Sequence, residues 1–553
     1  MKQRRTLLIA ASVVAATVLC LACAACSLLG WLAYRGKLPI GPAAGRTPES
    51  IAVPVNPGSA GELRLAGPEP VTLDPAVAQD NNSATYLVEI FSGLVTLDAN
   101  LEVVPDLAER WDLSADGRTY TFHLRDNARF QDGRPVTAAD VEYALERACS
   151  PELHSSTASI YLSDIVGVAA RQQGEAGRIS GLQVIDDHTL SLTIDAPKAY
   201  FLAKLTYPVA FVVDRKDVER GGDWYRRPNG TGPFRLASWE SDRIVLERNP
   251  HYYGGAVRLE RVSYMLSGGS PMAMYENGRL DIVDVGLFDI ERVQDPDNPL
   301  NAELTVVPRL DVQYLGMNVE VEPFDDPLVR RAFAQALDRK RLANVVLKKT
   351  VLPAAGILPP GIPGYREDYA GLAYDPEAAL EALRASRYRD AADLPEVVLH
   401  ISGEGGGLPP SAEAIVAMLR DNLGVEVRVE MTPWARFLED LNARRLGLYM
   451  LGWVADYPDA QDFMDILFHS QSAENHMAYS NPEVDRLLEK ARVETNVDAR
   501  LALYRQAEEA IVADAPWVPL WHSRDYVLVK PYVRGAVFSG ATRPWLKDVY
   551  LER

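Results

Sequence analysis

The chain has 553 residues, with 57 Lys and Arg against 76 Asp and Glu, so its formal net charge at pH 7 is −19. Such an acidic surface repels nucleic acid and anionic lipid headgroups, which excludes a nucleic-acid-binding protein. Only Cys149 among the four cysteines lies beyond residue 26, which excludes an internal disulfide in the remaining chain. This length exceeds what one hydrophobic core supports and predicts two or three domains.

Residues 1–37 predict a signal or membrane anchor. Cationic residues precede the uncharged stretch Leu7–Ala33, and Arg35 and Lys37 follow it. A cleaved signal has an apolar region of about 7–15 residues, whereas a membrane span needs about 20, so this stretch is long enough to remain in the bilayer. Small residues before Cys26 suit the alternative, cleavage and lipidation at that cysteine. Both alternatives place the remaining chain on the outer face of the cytoplasmic membrane, periplasmic or extracellular.

Residues 38–60 are rich in Pro, Gly and Ala and predict a semi-extended linker. The folded body begins near residue 61, where Glu62–Ala66 alternates like a first strand. Further alternating runs, Thr119–Leu124 and Leu190–Ile194, predict a β-rich region. A helix follows Thr137, because Thr and Asp140 have the spacing of a capping box with Asp in place of Glu.

From residue 311 longer helices alternate with short apolar strands. Val397–Ile401, the helix Ser411–Leu423 and Val425–Val429 have the strand–helix–strand order of a parallel sheet. The apolar run Leu448–Val454 predicts a buried strand that ends shortly before Asp456. The plan is therefore two α/β lobes, one of them interrupted by a β-rich insert, with the natural ligand site in the cleft between them.

A search for catalytic chemistry finds no zinc-hydrolase spacing among the eight histidines, no nucleophile elbow and no phosphate-binding loop. The sequence thus predicts no catalytic residue, no metal site and no cofactor. The glycine-rich segment 403–407 lacks the Lys of a phosphate loop and is typical of a surface loop.

Read together, a series of segments resembles the oligopeptide/dipeptide-binding family of solute-binding proteins from ABC importers, bacterial extracellular solute-binding protein family 5. These segments keep the family's order along the chain: Leu73–Pro75, Phe91–Leu94, Pro105–Trp111, Thr119–Arg125, Phe130–Thr137, Asn229–Phe234, Leu246–Pro250, Phe324–Asp326, Ala336–Arg339 and Gly452–Pro458.

The resemblance implies a type II periplasmic-binding-protein-like α/β fold, with two α/β lobes, a hinge and an extra β-rich α+β domain. It assigns residues 61–91, 214–310 and 524–553 to lobe I, 92–213 to the extra domain, and 311–523 to lobe II. Closure would be a hinge motion about the crossings near residues 213, 310 and 523.

In the resembled family, the acidic residue at the position of Asp456 pairs with the amino terminus of a peptide. A turn or helix-capping Asp before Pro458 is the alternative. Gly452, Trp453 and Val454 would offer backbone groups to the ligand, and Trp453 would also wall a side-chain pocket unless it is an ordinary core residue. The nearby acids Asp459, Asp462 and Asp465 are typical of a solvated helix start.

Gln79, Asn81 and Asn82 would contribute from the opposing lobe, although one polar loop resembles another. Tyr314 either lines the cleft or only packs the hinge strand. Cations that hold a ligand carboxylate in such members are missing at Met450 and in the glycine loop. Either longer peptides leave that end free, or the solute is not a standard peptide.

The sequence thus predicts a monomeric, membrane-tethered receptor that captures oligopeptides by lobe closure. It would deliver them to ABC permease subunits with their ATPases. Three alternatives remain: the same fold binding a nickel chelate, haem, a sugar or an opine; a peptide sensor; and, of another class, an anchored surface peptidase.

Overall fold

The computed structural model describes residues 61–403, 405–538, 540 and 546–553. The predicted anchor with Cys26 and the linker 38–60 lie outside the described residues. Within the described part of the chain, no helix combines the length and the hydropathy that crossing a bilayer requires.

The first sheet contains the strand Glu62–Ala66, which pairs in parallel with two neighbours and so lies inside the sheet. The remaining pairs are antiparallel. In spatial order, its strands in the described chain are Leu304–Pro308, Arg524–Val529, Ile282–Asp284, Glu62–Ala66, Arg261–Met265, Arg243–Arg248 and Phe234–Trp239.

The second sheet lies later in the chain and contains the predicted strand Leu448–Val454. Over its whole length this strand pairs antiparallel with Asp311–Met317, whereas it pairs in parallel with Val397–Ser402 only at Leu448 and Tyr449. In spatial order, the described strands are Leu352–Pro353, Trp517–His522, Asp311–Met317, Leu448–Val454, Val397–Ser402 and Val427–Thr432.

The third sheet is antiparallel throughout and confirms the strand predictions in the β-rich region. Its described strands, in spatial order, are Ala108–Leu113, Thr119–Leu124, Thr189–Thr193 and Leu182–Asp186. Two short hairpin-like pairs complete the strands described: Val95–Leu97 with Val103–Pro105, and Val533–Arg534 with Tyr550–Leu551.

Several helices of the body begin where the sequence supplies a side-chain cap. The backbone N–H of Thr137 donates to the Asp140 carboxylate at 2.9 Å, which confirms the predicted helix start. Asp326 accepts from the N–H of Leu328 at 2.9 Å. The longer helices are Asn81–Ile90, Ala138–Ala148, Pro327–Gln335, Pro376–Ala385, Pro410–Leu423, Trp434–Asn442, Ala460–Phe468, Pro482–Val493 and Val497–Asp514.

One strand boundary differs from its prediction. The strand predicted over Val425–Val429 runs from Val427 to Thr432. Gly424 ends the preceding helix in the left-handed region, with φ at +72°. The two residues after this glycine are needed to leave the helix cap, so pairing starts later than the apolar pattern indicates.

A continuous apolar core joins the third sheet to the helices beside the second sheet. It contains Phe122 from the third sheet, Tyr161 and Phe201 from the helices that follow, and Tyr457 and Phe463 from the segment after Leu448–Val454. This shared core fixes the residues around Asp456 against the β-rich region.

Candidate ligand-binding site

A cavity lies between the polar segment after residue 78 and the second sheet. The centres of water-sized spheres can occupy about 100 Å³ within it. One buried water needs about 10–15 Å³ on that measure, so the cavity holds several waters or a ligand group of similar size. Its lining includes Gln79, Asp80, Asn81, Ala84, Tyr207, Tyr314, Trp434, Leu451, Gly452, Trp453, Val454, Asp456, Glu474 and His476.

The strand Leu448–Val454 presents a free backbone edge beside this cavity. Within the described residues, no strand pairs with Met450–Val454 on the edge opposite Asp311–Met317. Leu448 and Tyr449 are fully buried, but the residues from Met450 onward are only half-buried. The prediction of a wholly buried strand is therefore wrong for its carboxyl half. Exposed backbone donors and acceptors at such an edge suit an extended ligand chain that adds as another strand.

Asp456 lies just beyond the end of this strand and lines the cavity. Its neighbours Ala455 and Tyr457 are both buried, at 4% and 0% exposure, so the backbone is held in place on either side. The phenol of Tyr161 donates a hydrogen bond to the Asp456 carboxylate, and the Tyr161 ring stacks on Tyr207 with centroids 3.7 Å apart. The helix cap is Asp459, which accepts from the N–H of Gln461 at 2.8 Å, so Asp456 has no capping role there.

The prediction of a solvated helix start is wrong for the three acids: Asp462 and Asp465 are buried, Asp459 is partly buried, and each has an internal partner. Asp459 pairs with Arg500 at 2.5 Å, and Asp465 pairs with Arg492 at 2.8 Å. Asp462 is 0% exposed and accepts from the indole N–H of Trp453 and the backbone N–H of Asp456, both at 3.1 Å. Burial, followed by the negative charge of Asp456, raises the pKa of Asp462 well above its ordinary value.

Trp453 and Tyr314 each combine the two roles that the sequence left open. Trp453 lines the cavity and also packs against the apolar core. Tyr314 lines the cavity although it is only 1% exposed, because its ring stacks on Trp517 with centroids 3.4 Å apart. Tyr314 therefore forms a rigid aromatic wall of the cavity. It also packs its own strand, Asp311–Met317, which is the neighbour of Leu448–Val454.

On the opposing side, Gln79 and Asn81 line the cavity, whereas Asn82 is not among its described lining residues. Asp80 caps the helix Asn81–Ile90 by accepting from the N–H of Ser83 at 3.0 Å. Gln79 makes two side-chain contacts: it donates to Ser156 Oγ at 2.5 Å and accepts from Asn442 Nδ2 at 2.8 Å.

The sequence reasoning missed several lining residues, above all Glu474. Its side chain is 15% exposed, and its Oε2 lies 3.6 Å from Nε2 of His476. Burial, with a further contribution from the charge of Asp456, raises the pKa of Glu474 to about 7. Glu474 lies in a loop after the helix Ala460–Phe468, where an acidic residue carries no local signal of burial.

His476 is 5% exposed and shares the Asn442 side chain with Gln79, because its Nε2 lies 3.0 Å from Asn442 Oδ1. Burial, followed by the charge of Arg444, lowers the pKa of His476 to about 4. The imidazole is therefore neutral at pH 7. Within the described chain, no group of three or more His, Cys, Asp or Glu side chains is arranged to hold a metal ion.

Residues 102–475 match the sequence profile described as bacterial extracellular solute-binding proteins, family 5. The dipeptide-binding protein DppE of Bacillus subtilis is 30% identical over 485 residues, covering 85% of this chain and 88% of that protein. The probable deoxycholate-binding periplasmic protein YgiS of Escherichia coli is 32% identical over 481 residues, covering 84% and 89%.

Among solved structures, the murein tripeptide-binding protein MppA of Escherichia coli superposes with a TM-score of 0.81 at 27% identity, covering 89% of this chain and 98% of that one. Its unliganded open form, at the same identity and coverage, gives only 0.64. This structure therefore superposes less well on the unliganded open form than on the other MppA structure. These likenesses confirm the predicted type II fold, and the chain belongs to the bacterial extracellular solute-binding protein family 5.

Proposed function

We propose that this protein is an extracytoplasmic receptor that captures oligopeptides between two closing lobes. The unpaired edge Met450–Val454, which ends next to the carboxylate of Asp456, is the observation that carries the proposal. Peptides have in common a backbone that can pair with a strand edge and an amino-terminal ammonium that can pair with a carboxylate. A charge-assisted hydrogen bond to a shielded carboxylate contributes about 1.5–3 kcal/mol.

Strand membership in the sheets supports a division into two lobes and an extra domain. We assign residues 61–91, 214–310 and 524–553 to lobe I around the first sheet, 92–213 to an extra domain around the third sheet, and 311–523 to lobe II around the second sheet. Asp456 lies in lobe II, and Gln79 and Asn81 lie in lobe I, so a ligand in the cavity touches both. Contacts to both lobes favour the closed arrangement.

After capture, the receptor would release its peptide to the permease of an ABC importer. Tethering to the outer face of the membrane, through a retained span or a lipid on Cys26, would keep it near that permease. Support for the tether is the sequence of residues 1–37, and support for the importer is the family to which the chain belongs.

A bile-acid-like solute is the second candidate, because YgiS is named as a probable deoxycholate-binding protein. Deoxycholate carries a carboxylate and no ammonium. The cavity presents the acids Asp80, Asp456 and Glu474 and, among its described lining residues, no Lys or Arg. Negative charges in the cavity repel the carboxylate of such a ligand. The composition of this cavity therefore favours a ligand with a cationic end group.

Mass spectrometry of small molecules released from the purified full-length protein tests the proposal, followed by calorimetric titration with synthetic peptides. We expect peptides of unchanged length to be released, and amino-terminal acetylation of a bound peptide to weaken its binding about tenfold or more. Release of deoxycholate-like molecules, or equal binding of free and acetylated peptides, would contradict the proposed site. Progressive shortening of the peptides during incubation would instead indicate a peptidase.

A further inference from the structure

Three acids line the cavity: Asp80, Asp456 and Glu474. The Asp80 carboxylate already accepts from the backbone N–H and the hydroxyl of Ser83, whereas Glu474 has no such capping role. Nothing in the proposed capture of a peptide backbone and its amino terminus requires Glu474. Family membership indicates that the protein binds a solute, and the proposed function places that solute in this cavity. The charge of Glu474 therefore bears on which ligand is preferred.

The protein itself supplies little positive charge to Glu474. Within the described residues, the basic side chain within 4 Å of its carboxylate is His476, whose ring nitrogen lies 3.6 Å away. Burial and Arg444 lower the pKa of His476 to about 4, so this imidazole is neutral at pH 7. No described Lys or Arg lines the cavity. An ionised Glu474 would thus be enclosed beside Asp456 without a cation, which is unfavourable unless a ligand supplies one.

The surroundings of Glu474 also suit the stem of a long basic side chain. Leu438, Leu451, Trp434 and Trp453 line the same cavity and offer apolar surface. Lys and Arg side chains pack their methylene groups on such surface while the charged end reaches a polar group. The combination of apolar walls with one acid matches a basic side chain better than it matches a short polar one.

We propose that Glu474 selects peptides with a Lys or Arg side chain at or next to the amino terminus, by pairing with that side chain while Asp456 pairs with the terminal ammonium. This inference rests on the proposed function and adds the chemical class of the preferred peptide. Glu474 is thereby a specificity-determining residue, and Asp456 and Glu474 bind two different cationic groups of one ligand.

The test compares two sets of tripeptides that differ only in charge, with Lys or its uncharged analogue norleucine at position 1 or 2. Calorimetric titration of the full-length protein measures both affinities for the wild type, Glu474→Gln and the control Glu381→Gln, whose residue is exposed on the helix Pro376–Ala385. At the better position, we expect the wild type and the control to prefer Lys by about tenfold or more, as a charge-assisted hydrogen bond implies. In Glu474→Gln the preference falls to about one.

Proton exchange gives a readout that a merely structural role would not change. Repeating the titrations at pH 7 in buffers of different ionisation enthalpy reports the protons released. The Lys peptide should displace a proton from Glu474 and the norleucine peptide should not. The charged and titratable groups that interact with Glu474 are Asp456, His476, Tyr314 and Tyr449. Arg444 acts on His476 and Tyr449. In Glu474→Gln the difference between the peptides should disappear.

The outcomes separate this inference from the function on which it rests. If the wild type binds the Lys and norleucine peptides equally at both positions, the role of Glu474 is wrong and peptide capture stands. A Lys preference that survives in Glu474→Gln leads to the same conclusion. If Glu474→Gln does not fold, the wild-type preference for Lys over norleucine and the wild-type proton release still decide whether the inference holds. If no peptide binds at all, the proposed function fails and this inference fails with it.

Discussion

The side-chain amide of Asn442 donates a hydrogen bond of 2.8 Å to the side-chain oxygen of Gln79. Gln79 in turn donates to Ser156 Oγ at 2.5 Å, and Asn442 Oδ1 lies 3.0 Å from the His476 ring nitrogen. A single chain of polar groups therefore connects all three proposed domains at the cavity. We expect opening of the proposed lobes to break the contact between Gln79 and Asn442.

Replacing Asn442 with Ala removes both hydrogen bonds on the lobe II side and should favour opening. Only the bond to Gln79 joins the two proposed lobes. With about 0.5–1.5 kcal/mol for that bond, we expect affinity to fall about 2- to 12-fold, mostly through faster ligand dissociation. Stopped-flow measurement of ligand release checks this. The matched control is Asn100→Ala at an exposed loop position, which should leave release unchanged. Equal release rates in both variants would show that closure does not depend on this contact.

Asp456→Asn keeps the shape of the side chain and removes its charge. We expect affinity for a peptide with a free amino terminus to fall about tenfold or more, and affinity for the acetylated peptide to change much less. Calorimetric titration with both peptides measures the difference, with Asp297→Asn at an exposed position as the control. A uniform loss for both peptides would mean that Asp456 supports the structure and does not recognise the ammonium.

The stability of the ligand-free protein should depend on Glu474 between about pH 4.5 and pH 7. Its pKa rises from 4.5 to about 7 on folding, so the folded state keeps a proton that the unfolded state has lost. The Glu474 carboxyl therefore contributes up to about 3 kcal/mol to the free energy of unfolding at low pH. This contribution is lost as the pH rises through the window.

Urea unfolding of the wild type and Glu474→Gln at several pH values checks this contribution. The variant should show a smaller decline in the free energy of unfolding from pH 5 to pH 7. Glu381→Gln, whose residue is exposed, should follow the wild type. Parallel curves for all three proteins would place the Glu474 carboxylate in contact with solvent.

Gly230 belongs to the segment Asn229–Phe234, which carries part of the family resemblance. A Cβ atom at Gly230 would lie 2.0 Å from the backbone oxygen of Ile90, and one at Gly232 would lie 2.5 Å from that of Glu89. Two segments of the chain therefore pack there backbone against backbone. They lie behind the helix Asn81–Ile90, which presents Asn81 to the cavity. Gly230→Ala should lower the free energy of unfolding by about 1–3 kcal/mol or more, as overpacking does. Gly177→Ala, where a Cβ atom meets nothing within 4 Å, should be nearly neutral in the same thermal or urea unfolding experiment.

Local chemistry in the sequence predicted much of the fold. Asp326 before Pro327 and Thr137 before Asp140 begin helices where their spacing indicates. The apolar run Leu448–Val454 forms the strand that leads to Asp456, because strand formation depends on residues close together in the chain. In these places the local preference and the tertiary structure agree.

Where partners come from distant segments, the sequence reasoning failed. Asp462 and Asp465 look like solvated acids, yet Trp453 and Arg492 enclose them after folding. Glu474 gives no sign of burial in its own loop. Its position in the cavity depends on the packing of the whole lobe, which no local pattern encodes.

The free strand edge has a consequence for what can enter the site. An exposed β-edge normally invites another protein to pair with it and aggregate. Here the edge Met450–Val454 faces a recess bordered by Gln79 and Trp434, so a folded neighbour cannot approach it. We expect this enclosure to admit a single extended chain and to exclude a folded protein, so that it limits both what binds to the edge and the pairing of two copies of this protein.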